Sequence, residues 1–220
     1  MGEVSQHAMT ARAREARHGI FMLAAGETLV WAGLFYSFAA LLYTWESTLG
    51  WSKSDLTLAF TLAVLASALS VPISGRLIDR NLGKYLLGTG AVLGALALVA
   101  LSQVHSLPAF LMIWIIIGIC QGACLYEPCF AFVTHIRGTT ARSAITTITL
   151  AAGFASPIAF PAGAALASML GWRGAVLGFA AGVALVAAPL LYRGAVLLER
   201  SSGPSAPVLA KNDSKGSLRR

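Results

Sequence analysis

Long apolar runs alternate with short polar breaks along the chain. The first run covers residues 19–43 and contains one charged residue, Glu27. Others follow at about 55–74, 85–102, 108–134, 143–168 and 174–192. Each is close to or above the roughly 20 residues that an α-helix needs to cross a ~30 Å hydrocarbon core. The pattern predicts an all-α, polytopic membrane protein with six transmembrane helices. Ser54 or Asp55 is placed to cap the second helix, and Pro72 sits near its far end, where a lost backbone bond costs least. Gly90-x-x-x-Gly94 lets the third helix approach a neighbour closely. Gly174, Gly178 and Gly182 put the same device on one face of the sixth.

The flanks read differently. Residues 1–18 form a polar tail with Arg12, Arg14 and Arg17. The apolar core of a secretory signal is only about 7–15 residues long, so the longer run after this tail is a retained span. Residues 193–220, rich in Ser, Pro, Gly and Lys, read as a disordered tail.

Composition agrees with the pattern. The chain has 220 residues, 57% of them hydrophobic and 11% charged, against about 25% charged in soluble domains. Mean hydropathy is +0.73. The net charge of +7 could suggest nucleic acid, but the basic residues form no stripe interleaved with aromatics. They sit in the breaks and tails, and 14 of the 16 Lys and Arg fall on one side of the six-span layout, leaving Lys53 and Arg173 on the other. That asymmetry places both termini in the cytoplasm. It makes the lipid bilayer, not nucleic acid, the expected partner. Trp45 and Trp51, in an outer loop over residues 44–54, would then sit among headgroups, with Trp114 and Trp172 also near the outer interface. The three cysteines, Cys120, Cys124 and Cys129, lie in one apolar run without a His or a fourth thiol. They read as small buried fillers and not as a metal site; no cofactor is implied.

Two carboxylates interrupt the apolar spans. An ionisable group there costs a few kcal/mol and needs a partner or a purpose. Glu27 lies about eight residues in from the basic end of the first helix and Glu127 about eight in from that end of the fourth. At 1.5 Å per residue both sit roughly 12 Å deep. Pro128 follows Glu127 and frees the carbonyl one turn back. Glu27 and Glu127 are therefore expected to line one water-filled cavity, for proton coupling or for recognition of a cationic group; the alternative is that each simply bonds a neighbouring helix. Pro157 and Pro161, beside Gly153 and Gly163, should bend the fifth helix, a feature of transporter binding regions. Arg142, at the mouth of that helix, either attracts anions or anchors topology. Enzyme chemistry is not indicated. The four histidines all lie outside mid-span, and the Gly-x-Ser-Gly nucleophile of rhomboid proteases is missing, because Ser156 of Gly153-Phe-Ala-Ser156 is followed by Pro157. No Gly-x-x-x-x-Gly-Lys-Ser/Thr motif supports ATP drive.

The charged stretch Gly75-Arg-Leu-Ile-Asp79-Arg80-Asn-Leu-Gly83-Lys84 resembles the signature loop between helices 2 and 3 of major facilitator superfamily transporters. Asn81 and Leu82 stand where the family usually has a single residue. Trp51-Ser-Lys-Ser-Asp55, Tyr126-Glu-Pro128 and Gly171-Trp-Arg173 also resemble bacterial members. The resemblance implies an amino-terminal half-domain over residues 19–192, built as a 3+3 inverted repeat of a twelve-helix carrier, with residues 193–220 as a cytoplasmic central-loop-like tail. It gives Gly75, Asp79, Arg80, Gly83 and Lys84 a gating role on the cytoplasmic side, and brings Tyr126 and Pro128 into the substrate region with Arg142. The implied function is ion-coupled, secondary transport of a small-molecule substrate across the cell (inner, cytoplasmic) membrane. As one half, the chain pairs with itself as a homodimer or with a second six-helix half; alternatively it is a truncated, non-transporting membrane protein or an assembly partner.

Overall fold

Uncharged apolar segments in a membrane must satisfy every backbone N–H and C=O internally, which leaves the helix as the available form for a chain patterned this way. A computed structural model of the protein describes residues 2–202, with side chains from Met9 onward, and contains only helices and tight turns there. In order these are α1 (Gly2–Val30), a π-helical turn (Trp31–Tyr36), α2 (Ser37–Leu49), α3 (Lys53–Asp79), α4 (Gly83–Leu101), α5 (Leu107–Cys124) and α6 (Tyr126–Arg137). A 3₁₀ turn (Gly138–Thr140), α7 (Ala141–Ala152), α8 (Ala155–Gly182), a second π turn (Val183–Ala187) and α9 (Ala188–Ser202) complete the described residues.

Four continuous helical stretches, not six, are long and apolar enough to cross a membrane: Met9–Leu49, Lys53–Asp79, Gly83–Leu101 and Leu107–Ser202. The last has 96 residues, far more than a ~30 Å core can hold in one pass. It folds back on itself. Gly171 (φ 69°, ψ 175°) breaks α8, and a β-carbon on Gly178 would lie 2.8 Å from Leu166, twelve residues earlier, a separation a straight helix would make about 18 Å. Gly138 (φ 51°, ψ −123°) similarly separates α6 from α7, which packs chiefly on α1. Both turns are so short that helical bonding resumes almost at once, which is why the expected loops at 135–142 and 171–173 merge into one helical stretch.

Several other boundaries move. Ser52, not Ser54 or Asp55, caps α3: its hydroxyl accepts from the Asp55 N–H (3.1 Å) and donates to the Asp55 carboxylate (2.7 Å). Most of the charged stretch 75–84 is helix, because buried Ile78 anchors the last turn of α3; only residues 80–82 leave it. Asn81 takes the left-handed conformation (φ 61°), its Oδ1 lies 3.2 Å from His135 Nε2, and the extra residue is thereby absorbed. Residues 44–49 are the end of α2 rather than a loop. Trp45 is fully buried against Phe38, Phe110 and Trp114, with Trp51 edge-on to Phe110. The tryptophans expected among headgroups therefore plug the bundle, and Trp172 is buried too. The tail is also shorter than expected: residues 193–202 are helical, since Leu191, Ala195 and Leu198 recur on one buried face of α9 and Glu199 pairs with Lys84 at 2.8 Å. The remaining tail residues, 203–220, lie outside the described residues.

Small residues set the packing. Gly19, Gly26 and Gly33, seven apart on α1 and its π turn, face Gly194, Leu191 and Val183, a spacing that keeps one face against one neighbour. Gly118 of α5 lies against the Ala63 carbonyl, and a β-carbon on Gly122 would come 2.7 Å from the Ser67 carbonyl. Ser74 Oγ donates to the Gly122 carbonyl at 2.6 Å along this α3–α5 seam. Gly90 meets Ala123 and Cys124, and Gly94 meets Leu34 and Cys120, so both glycines and both thiols serve close packing.

The backbone is irregular where α1 meets α5. A π turn leaves a carbonyl without its helical donor, and Gln121 Nε2 donates to the Leu34 carbonyl inside that turn at 2.7 Å. Gln121→Leu should cost about 1 kcal/mol, the size of an interhelical bond in a membrane protein, read as a lowered unfolding midpoint in detergent together with altered Trp31 emission. Gly118→Leu should cost about 1–3 kcal/mol by overpacking. Gly75→Leu should leave the same midpoint unchanged, because nothing lies within 4 Å of a β-carbon there.

Candidate functional site

The fourth apolar run is broken at its centre. Pro128 has no N–H to give the Cys124 carbonyl, and the chain responds at Leu125, which is extended (φ −87°, ψ −161°) between α5 and α6. Helical bonding resumes with Cys129 N–H donating to the Leu125 carbonyl at 3.1 Å. Glu127 thus sits in the first turn of α6, where the positive end of the helix dipole favours a carboxylate.

Around this break lies a cavity of about 370 Å³, lined by Glu127, Gln121, Leu125, Trp31, Phe35 and Ser67 among others. Glu127 is the charged group in its wall and is exposed to it. Aromatic rings run along one side. The Trp31 ring lies tilted 4.8 Å from Phe35 and 4.6 Å from Tyr126, which is itself stacked 4.8 Å from Phe130 at 16°. Phe35 continues the series to Phe60 at 5.0 Å. Ring faces beside a carboxylate present two features that attract a cation.

Glu27 is placed differently from the expectation. It is fully buried and does not line this cavity; Trp31, one turn further along α1, does. Neither Glu27 oxygen has a hydrogen-bond partner among the described residues. The Cys129 thiol and the Trp31 indole N–H lie beside it without reaching hydrogen-bonding geometry. The two carboxylates therefore differ in setting: Glu27 is fully buried with Cys129 and Trp31 beside it, whereas Glu127 opens to the cavity.

The remaining residues scatter. Tyr126 belongs to the aromatic wall and Pro128 is buried behind it. Arg142 lies away from the cavity, in an open hollow with Thr139, Thr140 and Thr146. In the fifth apolar run the break falls at Gly153–Phe154, ahead of Pro157, whereas Pro161 lies inside α8 without interrupting it. Gly83 starts α4 directly against the Phe132 ring, and Lys84 holds Glu199. Asp79 and Arg80 are exposed and make no ion pair among the described residues.

Trp31, Phe35 and Gln121 were not singled out from the sequence. Gln121 carried a usable signal, as a lone amide within an apolar run. The two aromatics carried none, since an aromatic in a spanning helix is ordinary and the π turn that aims them leaves no mark in composition. Among the described residues no cluster of His, Cys, Asp and Glu could hold a metal ion.

No curated protein matches the chain. The family model of the Major Facilitator Superfamily matches residues 20–217, nearly the full length of an all-helical, strongly apolar chain. The chain therefore belongs to the Major Facilitator Superfamily and is a multi-pass membrane protein of a transport family.

Proposed function

We propose that this chain is one six-helix half of an ion-coupled secondary carrier for a small solute, with the aromatic-walled cavity at Glu127 as its share of the solute path. The observation that carries the reading is the coincidence of a carboxylate, a broken helix and a π turn at one cavity. Discontinuous helices at mid-membrane are where transporters place substrate and coupling ions. The turns at Gly138 and Gly171 support dividing the long helical stretch into three passes, which with the three stretches before it would make the six spans of a 3+3 half.

The four basic segments meet at one end, through Lys84–Glu199, Asn81–His135 and the cavity shared by Arg17 and Arg137. By the positive-inside rule we assign that end to the cytoplasm of a cell membrane. Gly75, Asp79 and Arg80 would there meet a second six-helix unit, either another copy of this chain or a separate half, and close the path. Their open surroundings favour that role. So does α3, whose Leu58, Leu65, Leu69 and Ile73 remain exposed.

Glu127 is suited to meet the cationic part of a solute. Glu27 has no cation beside it, and burying an unpaired ionised carboxylate costs several kcal/mol. It is suited to take up a proton when the cavity is closed and release one when it opens.

In a lipid nanodisc the protein should run at twice its 22.9 kDa protein mass, or with a stoichiometric partner. A strictly single-copy particle would favour the non-transporting reading. Proteoliposomes containing an internal pH dye and challenged with a panel of aromatic cations should show solute-driven proton movement. Glu127→Gln should abolish it, and Glu27→Gln should leave solute exchange but remove its pH dependence. Unchanged flux and pH profile in both variants would end the assignment.

A further inference from the structure

A second cavity, of about 380 Å³, opens at the basic end between α1, the end of α6 and the start of α7. Arg17 and Arg137 both line it, with Ser143, Thr147, Ile20 and Phe21. Among the described residues neither arginine has a carboxylate partner. Lys84–Glu199 is the one ion pair among the described residues, and no acidic side chain lines the cavity. Arg137 Nε is buried with no hydrogen-bond partner. Two guanidiniums facing one space without a counter-charge repel each other, and a buried N–H donor left unpaired is costly. A third, Arg142, stands at the adjoining hollow, which shares Ser143 and Thr147 with this one. The lower wall is of opposite character: Ile20 and Phe21 continue the apolar surface of α1, with Phe21 57% exposed.

We infer that this cavity binds the phosphate of an anionic phospholipid, gripped by Arg17 and Arg137, with an acyl chain running down past Ile20 and Phe21. Guanidinium forks match phosphate oxygens in geometry, and Ser143 adds a hydroxyl that has no partner among the described residues. Free phosphate would use only the polar rim. The apolar wall below it, in a multi-pass membrane protein, selects the lipid. The site is separate from the Glu127 cavity and does not depend on the chain being a working carrier.

Native mass spectrometry of the full chain in detergent tests this, with phosphatidylglycerol and phosphatidylcholine of identical acyl chains as probes. Two arginines near a lipid surface should give about a thirtyfold preference for phosphatidylglycerol. Arg17→Gln with Arg137→Gln should reduce it to parity, and Arg76→Gln, on the same end but outside the cavity, should keep it. If the double variant does not fold, Ala13→Glu places a carboxylate in the lining at an exposed position of α1 and should remove the preference with both arginines intact. Equal retention of the two lipids, or a preference that survives both variants, overturns the site. An unfolding midpoint raised as much by inorganic phosphate as by phosphatidylglycerol overturns the lipid assignment in favour of a free anion.

Discussion

Pro128 cannot donate a backbone hydrogen bond, and in an apolar bundle that single missing N–H has to be accommodated somewhere. The chain accommodates it by ending α5 at Cys124 and restarting as α6 at Tyr126, with Leu125 extended between them. Glu127 and Gln121 lie beside this gap. Glu127 gains a helix start to sit on. Gln121, four residues before Leu125, points across to α1 and binds the Leu34 carbonyl. The two backbone irregularities, a proline break in one helix and a π turn in its neighbour, are thus joined by one amide. Neither would be as well satisfied alone.

Close packing elsewhere makes that gap affordable. The glycine face of α1 against α9 and the Gly118–Gly122 face of α5 against α3 bring backbones near enough for Ser74 to reach a carbonyl of another helix. Without a hydrophobic drive between helices in lipid, such contacts and the dispersion between tightly fitted surfaces supply the cohesion. Cys120 and Cys124 fit the same logic, each setting its β-carbon against a glycine on α4.

Much of this was legible in the sequence, and the limits are physical. Apolar run length gives the helices, since in hydrocarbon no other local structure competes. Glu127 and Pro128 were legible because a charge and a missing donor are properties of single residues. Helix ends were less so. Thr44–Leu49 reads as a loop until Trp45 is seen buried against Phe110 and Trp114, contacts some 65 residues away in sequence. Arg193–Ser202 reads as tail by composition, although Leu191, Ala195 and Leu198 already carried a helical period. The split between Glu27 and Glu127 could not be read from depth: equal depth says nothing of which way a helix face turns, and that is fixed by the glycine seams.

The separation of the two carboxylates bears on mechanism more than their presence does. Two acids in one open cavity would share solvent and titrate as one site. Here one acid, Glu127, is exposed to the cavity, and the other, Glu27, is buried beside Trp31. On the proposed carrier reading, a solute at Glu127 would meet Trp31, which lines the same cavity and also neighbours Glu27. In that reading the π turn that carries Trp31 would link binding at Glu127 to protonation at Glu27. That turn departs from regular α-helical bonding, and the Gln121 amide ties it to α5 at the Leu34 carbonyl, so a shift of Trp31 would be felt at both helices.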